Sequence, residues 1–269
     1  MGEGTFFDKN GNTIEKGDFL KLYCDSYYLD KDQYVPGLSR CSRSVENEID
    51  NVLKRGIDSG KQGVQDVVHI LAWKIGKIAH KKSESEKEFK YYDYWKNAEK
   101  LEEDWKNAEK YGVMLYGKPF KLGIIAKYIV DHMEELTIEE RNDLRAQNVL
   151  NKMSADLKRE GVTGIGPVYL LTLLYFLSKG IYPIYDRFAM MAVDAIIAGA
   201  KPGDAVEYHT LPDKSSKKFN TIMQDHMAPY IHKLDRVFGG KYQNSRDIDR
   251  ALWTYGHLFV AAKKSAVKS

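Results

Sequence analysis

An acidic residue, Asp186, follows the glycine-punctuated turn Gly161-Val-Thr-Gly-Ile-Gly-Pro167 after an apolar helix and a short loop, and these residue types could bind an anion and do carboxylate chemistry. Gly164 and Gly166 allow backbone angles and close approaches that a Cβ would forbid. The N–H groups of such a turn, with those of the helical turn that follows, point outward and suit an anion such as a phosphate. Ile165 is expected to tuck between the flanking helices. Thr163, Gly164, Ile165, Gly166 and Pro167 are therefore the candidate backbone-binding residues. An ordinary αα-hairpin with a glycine turn accounts for the same local pattern. A carboxylate at Asp186 could stabilise developing positive charge, orient water or accept its proton. It could equally be the N-cap of a helix from Arg187, and the two roles are compatible.

Helices must position these groups. Amphipathic periodicity predicts helices over about 44–55, 64–80, 120–133 and 138–160, with Thr137 and Glu140 spaced as a capping box. Gly161 should end the last of these in a left-handed conformation. Pro167 should open the next, which runs to about Ser178 before Lys179-Gly180 breaks it. Further helices are expected over about 187–198, 217–238 and 245–264, with a polar loop at 199–217. Residues 1–40, with turn signals at Asn10-Gly11 and Pro36-Gly37, read as irregular or short-stranded. Trp95-Lys-Asn-Ala-Glu-Lys100 returns unchanged as Trp105-Lys-Asn-Ala-Glu-Lys110. A ten-residue step falls about 80° short of three helical turns, so the copies do not share a face, and the stretch reads as a duplicated insertion.

The expected fold is mainly α, with an N-terminal segment (1–60), a helical segment carrying the duplication (61–119) and a core containing the hairpin (120–269). Apolar residues at 43 % and charged residues at 29 % fit a globular chain. No apolar run is long enough for a bilayer, and Met1 is followed by no secretory pattern, so the expected address is cytoplasmic. Cys24 and Cys41 are too few for an iron–sulfur cluster or a four-thiolate zinc site. The histidines show no metal-ligand spacing. The net charge of +3 permits an anionic partner without announcing one.

The stretch from Gly164 to Ala189 resembles the core of the helix-hairpin-helix base-excision DNA glycosylases. In that superfamily a Gly-(Val/Ile)-Gly hairpin is followed by an apolar helix, a short loop and an aspartate heading the next helix. The resemblance is strong over about 30 residues and looser over about 120–264. It implies an 8-oxoguanine-glycosylase-like helical fold and double-stranded DNA as partner, with no membrane and no obligate protein partner. It makes Asp186 the catalytic carboxylate and implies no cofactor beyond a monovalent cation at the hairpin. Val168 stands where bifunctional members carry the Schiff-base lysine, 186 − 168 = 18 residues before the aspartate. Leu170 replaces the hairpin's usual small residue, and Thr163 a common proline. The implied chemistry is thus monofunctional, with water as nucleophile, on a damaged or modified base. An extruded base needs an aromatic pocket, for which Tyr169, Tyr185, Trp253 and His257 are the candidates. The alternative is a non-catalytic helix-hairpin-helix protein that binds DNA or a protein partner; a helical interaction protein without a nucleic-acid role comes third.

Overall fold

The computed structural model describes residues 4–28, 43–75, 78–79, 90–91, 106–107, 113–115, 118–207, 211, 218–243 and 245–262. Its helices are α1 (Lys16–Tyr27), α2 (Arg43–Arg55), α3 (Gly60–Lys74), α4 (Leu122–Asp131), α5 (Met133–Leu136), α6 (Asp143–Arg159) and α7 (Pro167–Leu177). They continue with α8 (Arg187–Ala198), α9 (Lys218–Thr221), α10 (Ala228–Phe238) and α11 (Arg246–Gly256). Short strands accompany them: β1 (Phe6–Phe7), β2 (Thr13–Ile14), β3 (Ile78–Ala79), β4 (Lys90–Tyr91), β5 (Val113–Leu115), β6 (Lys118–Phe120), β7 (Ala205–Glu207) and β8 (Val260–Ala262). The fold is mainly helical, and among the described residues no helix is long and apolar enough to cross a membrane.

The chain divides into two compact units, and neither is a continuous stretch. One combines Met1–Arg43, Pro183–Leu211 and Gln224–Ser269; the other combines Ser44–Tyr182 and Pro212–Met223. This differs from a division into three consecutive segments because α1 finds its apolar partner at the far end of the sequence.

In the first unit, β1 and β2 pair antiparallel with Phe6 opposite Ile14. Asp8 Oδ1 accepts the N–H groups of Asn10 and Asn12, both at 2.8 Å, and Gly11 takes φ +80°, so the Asn10-Gly11 turn forms as expected. The helix that follows is not the irregular segment expected from the sequence. In α1, Phe19, Tyr23 and Tyr27 recur every four residues and are buried. Phe19 and Tyr23 pack on Tyr255 of α11, with ring centroids 5.0 and 4.9 Å away, and Tyr27 packs on Trp253 at 5.5 Å. Turn signals on either side and the aromatic, Gly- and Asp-rich composition hid a helix that tertiary packing supports. The last helix is shorter than expected. α11 ends at Gly256, and Val260–Ala262 pairs parallel with β7 instead of extending the helix to residue 264.

In the second unit, α7 is buried at every position from Leu170 to Leu177, where the one short polar side chain, Thr172, donates its hydroxyl to Val168 O at 2.8 Å. Two buried acids are matched by specific donors. Glu46 accepts Trp73 Nε1–H at 2.7 Å. Asp66 takes both guanidinium nitrogens of Arg55 at 2.7 and 2.6 Å, with Asp58 N–H and Gln62 Nε2 completing its shell. The expected capping box does not open α6. Asn142 caps that helix by accepting Arg145 N–H at 2.9 Å, whereas the Thr137 hydroxyl donates back to Met133 O at the end of α5. α3 stops at Lys74, six residues before the expected His80. The duplicated stretch lies outside the described residues except for Lys106 and Asn107.

His69 in α3 gives this unit a pH response. Burial pushes its imidazole down to about 4, although the residue as a whole is half-buried. The folded value lies below the unfolded one of about 6.5, so the group supports folding above pH 6.5 and that support drains away between pH 6.5 and 4. The loss should be on the order of 1–2 kcal/mol, less than full burial would give. Urea titrations of wild type and His69→Gln at pH 7 and pH 5 check this: the variant should lose less on acidification.

Candidate functional site

The hairpin lies in the second unit. α6 ends with Gly161 at φ +71°, its N–H bonded to Lys158 O at 3.1 Å, while Val162 N–H reaches Leu157 O at 2.9 Å. This is the left-handed stop expected of Gly161. Gly164 takes φ +86°, a conformation that side chains disfavour. Gly166 is the N-cap of α7 at φ −88°, and Pro167 occupies the first turn. The apolar residue closing the hairpin is Val162, 3 % exposed, rather than Ile165, which is half-buried.

The roles of the two glycines separate. Gly164 is required by its backbone angle. Gly166 has ordinary angles, and a Cβ added there would meet no atom within 4 Å. Nothing described within the chain requires a glycine at 166. Thr163 and Gly164 are exposed. Lys158 and Arg159 occupy the last turn of α6, with Arg159 paired to Asp156, and Lys121 Nζ lies 3.0 Å from where a Gly161 Cβ would sit. Lys121 thus reaches the turn, while Lys158, Arg159 and the exposed Glu160 precede it in the chain. Val168 carries no amine, so the chain offers no nucleophilic lysine at that position. Tyr169 also belongs to this unit, half-buried with its ring 5.7 Å from Phe120.

Asp186, Tyr185, Trp253 and His257 belong to the other unit. Asp186 is half-buried in an extended conformation and caps α8, its Oδ1 accepting Phe188 N–H at 2.9 Å. Beside it lies an aromatic platform. The His257 ring stacks on Phe188 with centroids 3.5 Å apart and 25° between planes, and Trp253 leans on His257 at 3.9 Å. His257 Nδ1–H donates to Trp253 O at 2.7 Å, which fixes the ring's orientation. The Arg187 guanidinium sits 4.7 Å from the Phe188 ring centre. Phe188, Trp253 and His257 are each half-exposed.

Phe188 belongs to the platform but was not among the expected pocket residues; its place two residues after Asp186, where a cap's N–H partner sits, was the available signal. Tyr185 is 2 % exposed, with Tyr230 edge-on at 5.5 Å and His226 at 6.2 Å. Burial pushes its hydroxyl up to about 12. It is a core ring, with neither face open to a base, because the loop before α8 turns it inward. Among the described residues no cluster of three or more His, Cys, Asp or Glu side chains could hold a metal ion.

Comparison with known proteins returns no match to a family model, a curated protein or a solved structure.

Proposed function

We propose that this chain is a DNA-binding helix-hairpin-helix protein acting as a monofunctional N-glycosylase on a damaged or modified base, with water as nucleophile. The observation that carries the reading is the hairpin. Gly166 faces open space where no described neighbour demands a glycine, on an exposed turn beside Lys121, Lys158 and Arg159. That fits close approach by a phosphate from outside the chain. Thr163 to Pro167 would grip the DNA backbone. Asp186 would stabilise the sugar cation and orient water, with the Trp253–His257–Phe188 platform beside it for an extruded base.

A second reading is favoured by one observation: an Asp186 oxygen is engaged as a helix cap, which is enough to explain an aspartate there. The chain would then bind DNA without cutting it. Excision from duplex oligonucleotides carrying a panel of lesions separates the two. Release of a base supports catalysis; binding without release across the panel supports the second reading.

The glycines give a sharper test of the grip. Gly166→Ala should leave the melting temperature unchanged within error and weaken duplex binding about tenfold, since the methyl occupies only the space a phosphate would approach. Gly164→Ala should cost about 1 kcal/mol of stability from its positive φ alone. Unaltered DNA affinity in Gly166→Ala would remove the hairpin from the interface.

A further inference from the structure

The first unit holds a pocket of about 490 Å³ that the proposed function does not use. One face of α1 forms a wall with Lys16, Leu20, Lys21, Cys24 and Asp25. The opposite side is the N-terminal turn of α11, with Ser245, Asp247 and Ile248. Tyr28, Arg43 and Phe238 complete it. The aromatic platform lies at the other end of α11, and this helix of 11 residues is about 16 Å long, so the two regions are separate.

The charges there do not cancel. Asp247 is bonded to the buried Arg250 at 2.9 Å, and Asp25 lies 3.8 Å from Arg43. Each pocket carboxylate therefore has its own guanidinium. Lys16 and Lys21, five residues apart on α1, form no ion pair among the described residues. Among the described residues two ammonium groups are thus left over in the lining, with the positive end of an α-helix on the other side. Leu20, with the small exposed edges of the buried Phe238 and Ile248, supplies apolar surface beside them. The volume is of the size that takes a small organic ligand rather than a lone ion. The Cys24 thiol, bonded to Asp247 at 3.5 Å and pushed up to about 12 chiefly by burial, stays protonated and adds no competing negative charge.

We propose that this pocket binds a phosphate monoester of about nucleotide size, its phosphate held by Lys16 and Lys21 and its organic part against Leu20, Phe238 and Ile248. The inference is independent of the glycosylase reading. The phosphate could come from a free mononucleotide or from a 5′-phosphorylated DNA end, and a volume of about 490 Å³, the size of a single small ligand, favours the first.

Calorimetric titration with adenosine 5′-monophosphate, adenosine and inorganic phosphate tests it. The monophosphate should bind, adenosine more weakly, and the double variant Lys16→Glu/Lys21→Glu should lose at least about tenfold in affinity for the monophosphate. Lys54→Glu/Lys61→Glu makes the same change in net charge on the other unit and should bind as wild type. Absence of binding at about 10 mM monophosphate overturns the proposal, as does equal binding of adenosine or an equal loss in the control variant. Displacement of the monophosphate by a 5′-phosphorylated trinucleotide at equal concentration would overturn the assignment to a free nucleotide.

Discussion

If the chain is the proposed N-glycosylase, Asp186→Asn should slow base release sharply while leaving the protein folded. Asparagine caps a helix about as well as aspartate, so the bond to Phe188 N–H survives and α8 keeps its start. Losing the negative charge beside the helix N-terminus should cost below about 1 kcal/mol at a half-buried site. A carboxylate that stabilises an oxocarbenium-like sugar or orients the attacking water cannot be replaced by a neutral amide, and the rate should fall about 10²- to 10⁴-fold. Single-turnover excision beside a thermal melt reads both quantities. A normal melt with excision intact would remove Asp186 from the mechanism. Asp186→Ala would be the poorer experiment, because it also removes the cap, at about 1 kcal/mol.

The second large effect is structural and needs no assumption about function. Gly256→Ala should destabilise the protein by about 3 kcal/mol or more. A Cβ at 256 would lie 1.9 Å from Phe188 O and 2.5 Å from its carbonyl carbon, and these are backbone atoms that cannot rotate aside. Only a glycine lets the end of α11 press against the first turn of α8. That contact sets the His257 ring on Phe188 and the platform beside Asp186. Relief of the clash would separate the two helices and disturb the cap at the same time. Equilibrium unfolding in urea measures the loss. A stability within about 0.5 kcal/mol of wild type would show that the α8–α11 contact is looser than described.

Much of the local structure could be read from residue types. Gly161 as a left-handed stop, Pro167 in a first turn, the break at Lys179-Gly180 and Asp186 at the head of α8 each depend on backbone preferences within a few residues. The Thr137-Glu140 pattern misled for the same local reason. It has the spacing of a capping box, but the helix begins at Asn142, and Thr137 Oγ1 turns back to Met133 O. α1 was hidden because its stripe of Phe19, Tyr23 and Tyr27 gains its stability from Tyr255 and Trp253, more than 200 positions away in the chain.

By itself, then, the sequence determined the mainly helical class, the hairpin's backbone and the place of Asp186 as a helix cap. These follow from φ preferences, hydrogen-bond spacing and apolar periodicity, which act over one or two turns. Tertiary structure alone decided that the N-terminal segment shares a unit with the last helices, that Tyr185 is core while Phe188 joins Trp253 and His257, and that Gly256 must be a glycine. Each of those depends on which side chains meet across long stretches of chain, and burial and close packing become defined only when the helices are in place. The glycine pair in the hairpin shows the division most clearly: the φ of Gly164 is a local requirement, whereas the open space around Gly166 exists only in the folded chain.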